Sequence, residues 1–200
     1  MSRVFCDVTV SLDGCVAGPD QSLEDPLGIG GEDLHRWMFE AAEENRDERD
    51  AITRAGAFIM GRNMFGPIRG EWPDESWQGW WGSEPPYHAP VFVLTNHARR
   101  PLELEGGTTF HFVTDGIEAA LDRARAAAGD ADVSVCGGAQ TANAYLRADL
   151  VDELRLHIAP ITLGPGARLF EGVARFGLVP ASARSTPLAT HLVFRRAESR

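Results

Sequence analysis

Three places in the chain have residue types that suit the binding of phosphate groups. They begin at Gly61, Thr95 and Gly137, and each follows a short apolar run. Glycine lets the backbone approach a ligand closely, a helix start offers unpaired N–H groups, and the planar fork of arginine matches phosphate. Taken alone, the Gly137-Gly138 pair is explained equally well by a tight strand-to-helix turn.

The composition narrows the functions that these places can serve. The net charge is −10, and all 19 basic residues are arginines, so the chain contains no lysine. The acidic balance argues against nucleic acid or an anionic membrane as partner, because both need a basic face. The absence of lysine excludes a P-loop lysine, a Schiff-base lysine and a lysine general base within this chain.

Neither a metal site nor a membrane location is indicated. Cys6, Cys15 and Cys136 lack metal-site spacing and lie in apolar segments, which favours reduced, buried thiols and a cytoplasmic protein. No apolar run approaches the ~20 residues of a membrane span, and the N-terminus enters a strand pattern without a signal peptide. Four scattered histidines are interpreted as ordinary structural residues: His88, His111, His157 and His191.

The order of the predicted elements indicates an α/β sheet. Strands alternate with helices through most of the chain, and the last part is rich in β-type residues. This order predicts one domain over residues 1–200, with a sheet that is parallel in the middle and antiparallel at its C-terminal edge. The alternation in residues 151–158 predicts a strand with one solvent-facing side. The strands are predicted at 4–12, 15–17, 57–60, 91–94, 108–113, 133–136, 151–158, 178–182 and 190–196, and the helices at 32–49, 117–128 and 141–148.

Residues 66–90 form a long predicted loop that is rich in glycine and proline and contains four tryptophans. A loop of this length is usually functional or disordered, and the tryptophans argue against disorder. Two interpretations remain open: the indole rings anchor the loop to the body of the protein, or they wall a flat, aromatic substrate. The tryptophans are Trp72, Trp77, Trp80 and Trp81.

The three candidate places are expected to meet, because ligands gather at the carboxyl ends of the strands in an open α/β sheet. Helices are predicted to start after Gly61 and Gly137, with Asn63 able to cap the first. A dinucleotide would suit this arrangement, with its pyrophosphate between the two helix starts and a 2′-phosphate near Arg62. The sequence has no G-x-G-x-x-G fingerprint.

Four motifs at successive strand ends and one late glycine-rich loop point to a known family. They are Ser11-Leu12-Asp13-Gly14, Met60-Gly61-Arg62-Asn63, Val93-Leu94-Thr95-Asn96, Cys136-Gly137-Gly138-Ala139-Gln140-Thr141 and residues 163–170. With these motifs the chain resembles the dihydrofolate reductase fold over nearly its whole length. It resembles more closely the RibD C-terminal domain, the reductase of riboflavin biosynthesis. The resemblance implies a three-layer α/β fold with helices on both faces of a mixed, mostly parallel sheet.

The resemblance also implies NADPH as cofactor, a small-molecule substrate and a homodimer. In dihydrofolate reductases the bond between the paired glycines is often cis, so a cis bond is expected between Gly137 and Gly138. The residues implied for the cofactor fall into three groups. They are Gly61, Arg62, Asn63, Met64, Gly137, Gly138, Ala139, Gln140 and Thr141 at the phosphates, Thr95, Asn96 and His97 at the adenosine end, and Thr9, Val16 and Ala17 at the nicotinamide.

The implied reaction is hydride transfer to a C=N or C=O bond of a small heterocycle or an opened sugar. The substrate stays open between the 5-amino-6-(5-phosphoribosylamino)uracil of the riboflavin enzymes and a pterin. A nucleotide-binding protein without turnover and a flavin-binding protein are the alternatives. Asp33 matches the helix acid that binds pterin in dihydrofolate reductases, but an ordinary acid at a helix start explains it too. Cys15 stands where the riboflavin enzymes commonly have lysine, so cations for a substrate phosphate are sought among Arg36, Arg69 and Arg168.

Overall fold

The computed structural model describes residues 2–66, 69–175 and 177–196. Within them, nine strands form one sheet and two short strands form a separate ribbon. The strands are β1 (Val4–Ser11), β2 (Cys15–Ala17), β3 (Ala57–Gly61), β4 (Pro90–Leu94), β5 (Leu102–Glu103), β6 (Thr109–Val113), β7 (Val133–Gly137), β8 (Glu153–Ala159), β9 (Ala167–Arg168), β10 (Leu178–Thr186) and β11 (Ala189–Arg196). The α-helices are α1 (Arg36–Phe39), α2 (Arg46–Ile52), α3 (Arg62–Phe65), α4 (Gly116–Ala128) and α5 (Ala139–Arg147), and 3₁₀ turns cover Gly31–His35 and Glu105–Gly107.

The sheet is mixed and mostly parallel, as the sequence predicts. Its strand order is β10-β11-β8-β1-β7-β3-β4-β6-β5. The run from β8 to β6 is parallel throughout. Antiparallel pairs occur at both edges, between β8, β11 and β10 on one side and between β6 and β5 on the other. Strands β5 and β9 have two residues each, and strands this short cannot be predicted from the sequence pattern.

Each face of the sheet has its own cover, because side chains alternate along a strand. On one face, Val4, Cys6 and Val8 of β1 pack with α4 and α5 in one apolar cluster. On the other face, Trp37 of α1 covers Thr9 and donates to its Oγ1 at 3.3 Å. The β3 and β4 part of that second face is covered by α3 and by tryptophans of the predicted loop over residues 66–90, which we call the tryptophan loop. The three layers and the helices on both faces are thereby confirmed.

The single helix predicted over residues 32–49 is wrong. The chain forms a 3₁₀ turn, the one-turn helix α1, a turn region and then α2. The cause is Asn45, which is fully buried and donates through Nδ2 to Trp37 O at 3.2 Å and to Ala41 O at 2.7 Å. A side chain that takes helix carbonyls in this way competes with the continuing backbone ladder.

The solvent-facing side predicted for residues 151–158 is also wrong. The polar residues of β8 that alternate with Leu154 and Leu156 are buried or half-buried, since β8 lies between β1 and β11. Their polar groups are paired with neighbouring side chains rather than with water. Glu153, for example, accepts from Arg155 at 2.7 Å and from Arg195 at 2.8 Å. The helix predicted at 141–148 begins two residues earlier, at Ala139.

The tryptophan loop is anchored to the sheet. Trp72 Nε1 donates to His97 O and Trp77 Nε1 donates to Phe65 O, both at 3.0 Å. Trp81 stacks on Phe110 with the ring centroids 5.9 Å apart. These contacts favour the anchoring interpretation of the loop, whose residues 67 and 68 lie outside the described part of the chain.

Asn143 holds β9 and the residues after it against α5. It is 3% exposed, donates to Arg168 O at 2.9 Å and accepts from Phe170 N at 2.7 Å. We expect Asn143→Ala to lower the free energy of unfolding by about 1–3 kcal/mol, because the two hydrogen bonds that the buried amide makes to the backbone of Arg168 and Phe170 are lost. Urea unfolding measures this loss. Asp122→Ala on the exposed side of α4 is the control and should change stability by less than about 0.5 kcal/mol. If both substitutions have the same effect, the hydrogen bonds of Asn143 do not hold β9 against α5.

Candidate functional site

The three strand ends singled out in the sequence lie side by side in the sheet. Met60 of β3 pairs with Gly137 of β7, and Gly61 pairs with Leu94 of β4. Because these strands are parallel, their carboxyl ends open at the same edge. The residues that follow them therefore surround one region at the middle of the sheet.

Gly61 and Gly137 shape the backbone of this region. A Cβ atom on Gly61 would lie 2.5 Å from Thr141 Oγ1, so only glycine allows β3 to end this close to α5. Gly137 has φ +111°, which L side chains rarely adopt, and its bond to Gly138 is cis, as expected. A Cβ on Gly138 would meet no atom within 4 Å, so the space in front of the turn is open.

The start of α5 adds N–H donors to that open space. Gly138 precedes the helix without a side-chain cap, and Ala142 N donates back to Gly138 O at 3.0 Å. The amides of Ala139, Gln140 and Thr141 precede this bond and have no acceptor within the helix. An anion is the ligand that such a helix start favours.

Arg62 provides the cationic side of the site. Its guanidinium lies 3.7 Å from the centroid of the Trp72 ring, and Nη1 donates to Thr95 Oγ1 at 3.4 Å. Nε and Nη2 are buried and have no hydrogen-bond partner among the described residues. Burial, followed by repulsion from Arg69 and Arg99, lowers the pKa of Arg62. A half-buried cation with two unmatched donors is suited to a doubly charged anion.

Arg99 connects this cationic side to the tryptophan loop. Its Nη2 donates to Glu75 O at 2.8 Å and to Trp77 O at 2.7 Å, and its guanidinium lies 5.0 Å from the Trp72 ring. Its Nη1 is buried without a hydrogen-bond partner in the described ranges, and burial lowers the pKa of Arg99. That Trp72 lies close to two arginines was not visible in the sequence pattern.

The other residues predicted at the phosphates and the adenosine end vary in position. Asn63 is exposed and makes no cap hydrogen bond, so its predicted capping role is wrong. The helix that follows Gly61 is a single turn, and Arg62 is its first residue. Thr95 Oγ1 accepts from His97 N at 3.1 Å, and His97 Nδ1 lies 2.9 Å from Glu71 Oε1. Three further residues differ in exposure: Asn96 and Gln140 are exposed, and Met64 packs in the apolar cluster of α3.

The predicted nicotinamide side lies at the end of β1. Thr9 is buried beside His157 of β8, and Ala17 of β2 pairs with Ala167 of β9. Val16 of β2 is half-buried. Asp13 accepts from Leu163 N at 3.1 Å and from Gly164 N at 2.8 Å, which holds the late glycine-rich loop against the first turn. A hydrogen bond from Ser11, followed by these backbone bonds, lowers the pKa of Asp13 to about 2. Asp13 thus acts as a turn residue.

The candidate substrate residues are spread over the structure. Asp33 is exposed on the 3₁₀ turn, and its role stays a prediction. Arg36 pairs with Glu40 at 2.8 Å, and Arg168 donates to Asp13 O at 2.5 Å and to Gly164 O at 3.1 Å. These two arginines are thus engaged with their own chain.

A buried chain of polar side chains, which the sequence pattern did not reveal, lies beside Thr9. His157 Nε2 is 2.8 Å from Asp7 Oδ1, and His157 Nδ1 is 2.7 Å from His191 Nδ1. His191 Nε2 is in turn 2.7 Å from Asn45 Oδ1. The one available signal was Asp7, a charged residue inside an otherwise apolar strand, because a buried charge needs a partner.

Comparison with known proteins places the chain in a family. The family model for the RibD C-terminal domain matches residues 2–186. The chain belongs to the RibD C-terminal domain family. No curated protein sequence matches the chain.

Solved structures share the fold at low sequence identity. A putative riboflavin biosynthesis protein from Shewanella sp. PV-4 is similar with a TM-score of 0.63 and 22% identity, over 99% of this chain and 100% of that one. The deaminase/5-amino-6-(5-phosphoribosylamino)uracil reductase of Thermotoga maritima gives 0.60 and 13%, over 98% and 57%. RibD of Acinetobacter baumannii gives 0.57 and 20%, over 99% and 59%. The chain therefore spans somewhat more than half of the last two proteins.

The described residues contain neither a metal-binding cluster nor a membrane-spanning helix. No group of three or more His, Cys, Asp or Glu side chains there is arranged to hold a metal ion. In the same part of the chain, no helix combines the length and the apolar character needed to cross a membrane.

The contact between Gly61 and Thr141 can be tested by a double-mutant cycle. We expect Gly61→Ala to lower the free energy of unfolding by about 2 kcal/mol, because the new methyl group overlaps Thr141 Oγ1. Adding Thr141→Ala removes that oxygen and should recover at least half of the loss. Urea unfolding of the four proteins gives the coupling energy. Purely additive effects would mean that β3 and α5 are less tightly apposed than described.

Proposed function

We propose that the chain is an NADPH-dependent reductase that transfers a hydride to a C=N or C=O bond of a small substrate. The observation that carries the proposal is the pair of unmatched, buried donors on Arg62, beside an open glycine turn at a helix start. Cationic donors and unpaired amides together suit a dinucleotide with an additional phosphate. Membership of the RibD C-terminal domain family supports the same cofactor.

The residues present fit NADPH. Gly137, Gly138 and the first amides of α5 would hold the pyrophosphate, and Arg62 the 2′-phosphate. Thr95, Asn96 and His97 would border the adenosine, with Gly61, Asn63 and Met64 behind the phosphates. Thr9, Val16 and Ala17 would line the nicotinamide. When bound, the cofactor would supply the hydride.

The chain's own contribution is binding and orientation. The hydrogen bonds of Asp13 hold the first turn in place, and Thr9 is buried. Together they would form a rigid wall that keeps the reacting groups in a productive orientation. Asp33 remains the proposed acid for a heterocyclic substrate. The open position of Asp33 on the 3₁₀ turn leaves it accessible to a ligand.

The proposed substrate is a ribosylaminopyrimidine of the 5-amino-6-(5-phosphoribosylamino)uracil type. The name of the Thermotoga maritima relative supports this class. We further propose that the whole chain is one catalytic domain and acts in the cytoplasm.

Arg62→Ala tests the cofactor. We expect the variant to bind NADPH roughly 10- to 100-fold more weakly, since charge-assisted hydrogen bonds to one phosphate are lost. Its affinity for NADH, which lacks that phosphate, should stay within about twofold. Quenching of tryptophan fluorescence, to which Trp72 beside Arg62 contributes, gives both dissociation constants.

Arg100→Ala is the matched control, because Arg100 is an exposed arginine of the same region and pairs with Glu75 at 2.6 Å. It should leave both affinities unchanged. Failure of the unmodified protein to bind NADPH at millimolar concentration would contradict the proposed function. Equal weakening of NADPH and NADH by Arg62→Ala would contradict the assignment of the 2′-phosphate.

We also propose a homodimer, supported by the exposed C-terminal strands: β10 is exposed along nearly its whole length, and Val179 retains 47% exposure. Light scattering at micromolar concentration should give twice the mass of one chain. A mass of one chain under these conditions would overturn the dimer.

A further inference from the structure

Two histidine rings meet nitrogen to nitrogen in the interior of the fold. His157 Nδ1 of β8 lies 2.7 Å from His191 Nδ1 of β11, and the two residues are cross-strand partners. Each histidine is 4% exposed, so both rings are shielded from solvent. Two ring nitrogens at this distance form a hydrogen bond when one of them, and not both, carries a proton.

The outer nitrogen of His191 is committed to Asn45. The Nδ2 group of Asn45 donates to the carbonyls of Trp37 and Ala41, so its Oδ1 faces His191 Nε2 at 2.7 Å. The same Oδ1 accepts from the Thr186 hydroxyl at 2.5 Å. Because an amide oxygen only accepts, His191 Nε2 carries a proton.

The outer nitrogen of His157 is committed as well. His157 Nε2 lies 2.8 Å from Asp7 Oδ1, and a charged carboxylate there accepts a proton from the ring. The other oxygen of Asp7, Oδ2, is buried without a hydrogen-bond partner among the described residues, and Arg155 Nη1 lies 3.8 Å from it. Protonating Asp7 would remove a negative charge from beside this guanidinium, which is unfavourable.

An additional proton in the histidine pair therefore has no acceptable place. With both outer nitrogens protonated, the contact between the rings contains one proton and one unprotonated nitrogen. Whichever ring donates there, a further proton puts an N–H group on both sides of the 2.7 Å gap between His157 and His191. Two donors that face each other lose their hydrogen bond and repel, so the rings must separate.

The resistance of His191 to protonation makes the fold sensitive to acid. Burial, followed by the charge of His157, lowers the pKa of His191 to about 4. In an unfolded chain a histidine takes up its second proton near pH 6.5. Between these two pH values the unfolded chain binds a proton that the folded chain does not bind, so stability is lost as the pH falls.

The charged neighbours of the pair largely keep their state between pH 7 and pH 5. Burial acts in the opposite direction, but the hydrogen bond from Arg184 lowers the pKa of Glu48, so both stay charged and act on His191 with opposite signs. Burial, followed by His157, lowers the pKa of His35, which adds to the acid sensitivity. The groups around the pair are Asp7 and Cys6 of β1, His35 of the 3₁₀ turn, Glu48 of α2, Cys136 of β7, Arg155 of β8 and Arg184 of β10.

The pair joins three segments of the fold. His157 lies on β8, His191 on β11, and Asn45 in the turn region between α1 and α2. Trp37 of α1 packs against both rings, with centroids 4.7 Å from His157 and 5.1 Å from His191, and its Nε1 donates to Thr9 Oγ1. Separation of the rings would withdraw His191 from Asn45 and loosen the attachment of α1 to the sheet.

We propose that His157 and His191 form an acid-sensitive latch, which holds α1 and its Trp37 on the sheet and releases them when a further proton enters the pair. After release, Trp37 no longer covers Thr9, which the proposed function places at the nicotinamide. The inference rests on the proposed function for this last step, whereas the latch itself does not. The expected consequence is a reversible loss of reductase activity in acid.

Nitrogen-15 NMR of the imidazole rings tests the proton count in the unmodified protein, without cofactor. At pH 5.5 His191 should be protonated at Nε2 only, whereas the histidine of an unstructured peptide carries both protons. The second proton should enter His191 only near pH 4. A His191 ring that takes up this proton at the same pH as the peptide would overturn the latch.

Thermal unfolding of His191→Gln tests the coupling to stability, because glutamine keeps an N–H donor for Asn45 but takes up no proton. Between pH 7 and pH 5 the melting temperature of the unmodified protein should fall by about 4–8 °C more than that of the variant. His88→Gln replaces an exposed histidine, and this matched control should behave like the unmodified protein. Equal falls in the unmodified protein and in His191→Gln would overturn the latch.

Hydrogen exchange measured by mass spectrometry locates the release. After correction for the intrinsic exchange rate, protection of α1 and α2 in the unmodified protein should fall roughly 10-fold more than that of β7 between pH 7 and pH 5. In His191→Gln the three elements should change alike. Equal loss of protection in all three elements of the unmodified protein would mean that acid unfolds the protein as a whole, and the latch would be wrong. This measurement decides if His191→Gln does not fold.

Activity separates the latch from the proposed function. With 5-amino-6-(5-phosphoribosylamino)uracil as substrate, NADPH oxidation by the unmodified protein should fall reversibly between pH 7 and pH 5, roughly fivefold more than in His191→Gln. Equal falls would contradict the release of Trp37 from Thr9. An unmodified protein that neither binds NADPH nor reduces the substrate would contradict the proposed function alone, because NMR and hydrogen exchange report on the latch without cofactor.

Discussion

The geometry of the candidate site depends on the close approach of β3 to α5 at Gly61. No side chain fits between this backbone and Thr141, so the end of β3 is held against the helix that follows the Gly137-Gly138 turn. Because Gly61 pairs with Leu94 and Met60 with Gly137, the same contact fixes the relative height of three strand ends. Arg62 and Thr95 start from those ends, and their positions follow from it.

The part of the site that the sequence predicted is the part that depends on local pattern. Short apolar runs followed by glycine marked the ends of β3 and β7, and parallel pairing alone then brought them to one edge of the sheet. The four motifs at successive strand ends, together with the late glycine-rich loop, were sufficient for the family. These features can be predicted once the strands are known to be parallel, and the alternation of strands with helices in the sequence indicates that they are.

The features that the sequence missed depend on contacts between distant segments. Asn45 interrupts a helix because its amide is used by Trp37 and His191, and neither partner is visible in a helical pattern. Asp7 and His157 are 150 positions apart and meet only because β1 and β8 are neighbours in the sheet. Trp72 covers Arg62 because the tryptophan loop folds back over β3. Asn63, by contrast, looked like a helix cap by type, but it is the second residue of α3, and Gly61 is at the N-cap position.

The outer strand β10 limits how the sheet of one molecule could extend into that of another. The backbone of a strand at the edge of a sheet is a template for another chain, and proline and bulges are common protections against it. In β10 the pairing register with β11 shifts between Pro180 and Ser182, and Pro180 has no N–H to offer. Arg184 is further held by Glu48 of α2 at 2.6 Å. Continuous extension of the sheet from one molecule to the next is thus obstructed at this edge, which opposes fibre-like aggregation.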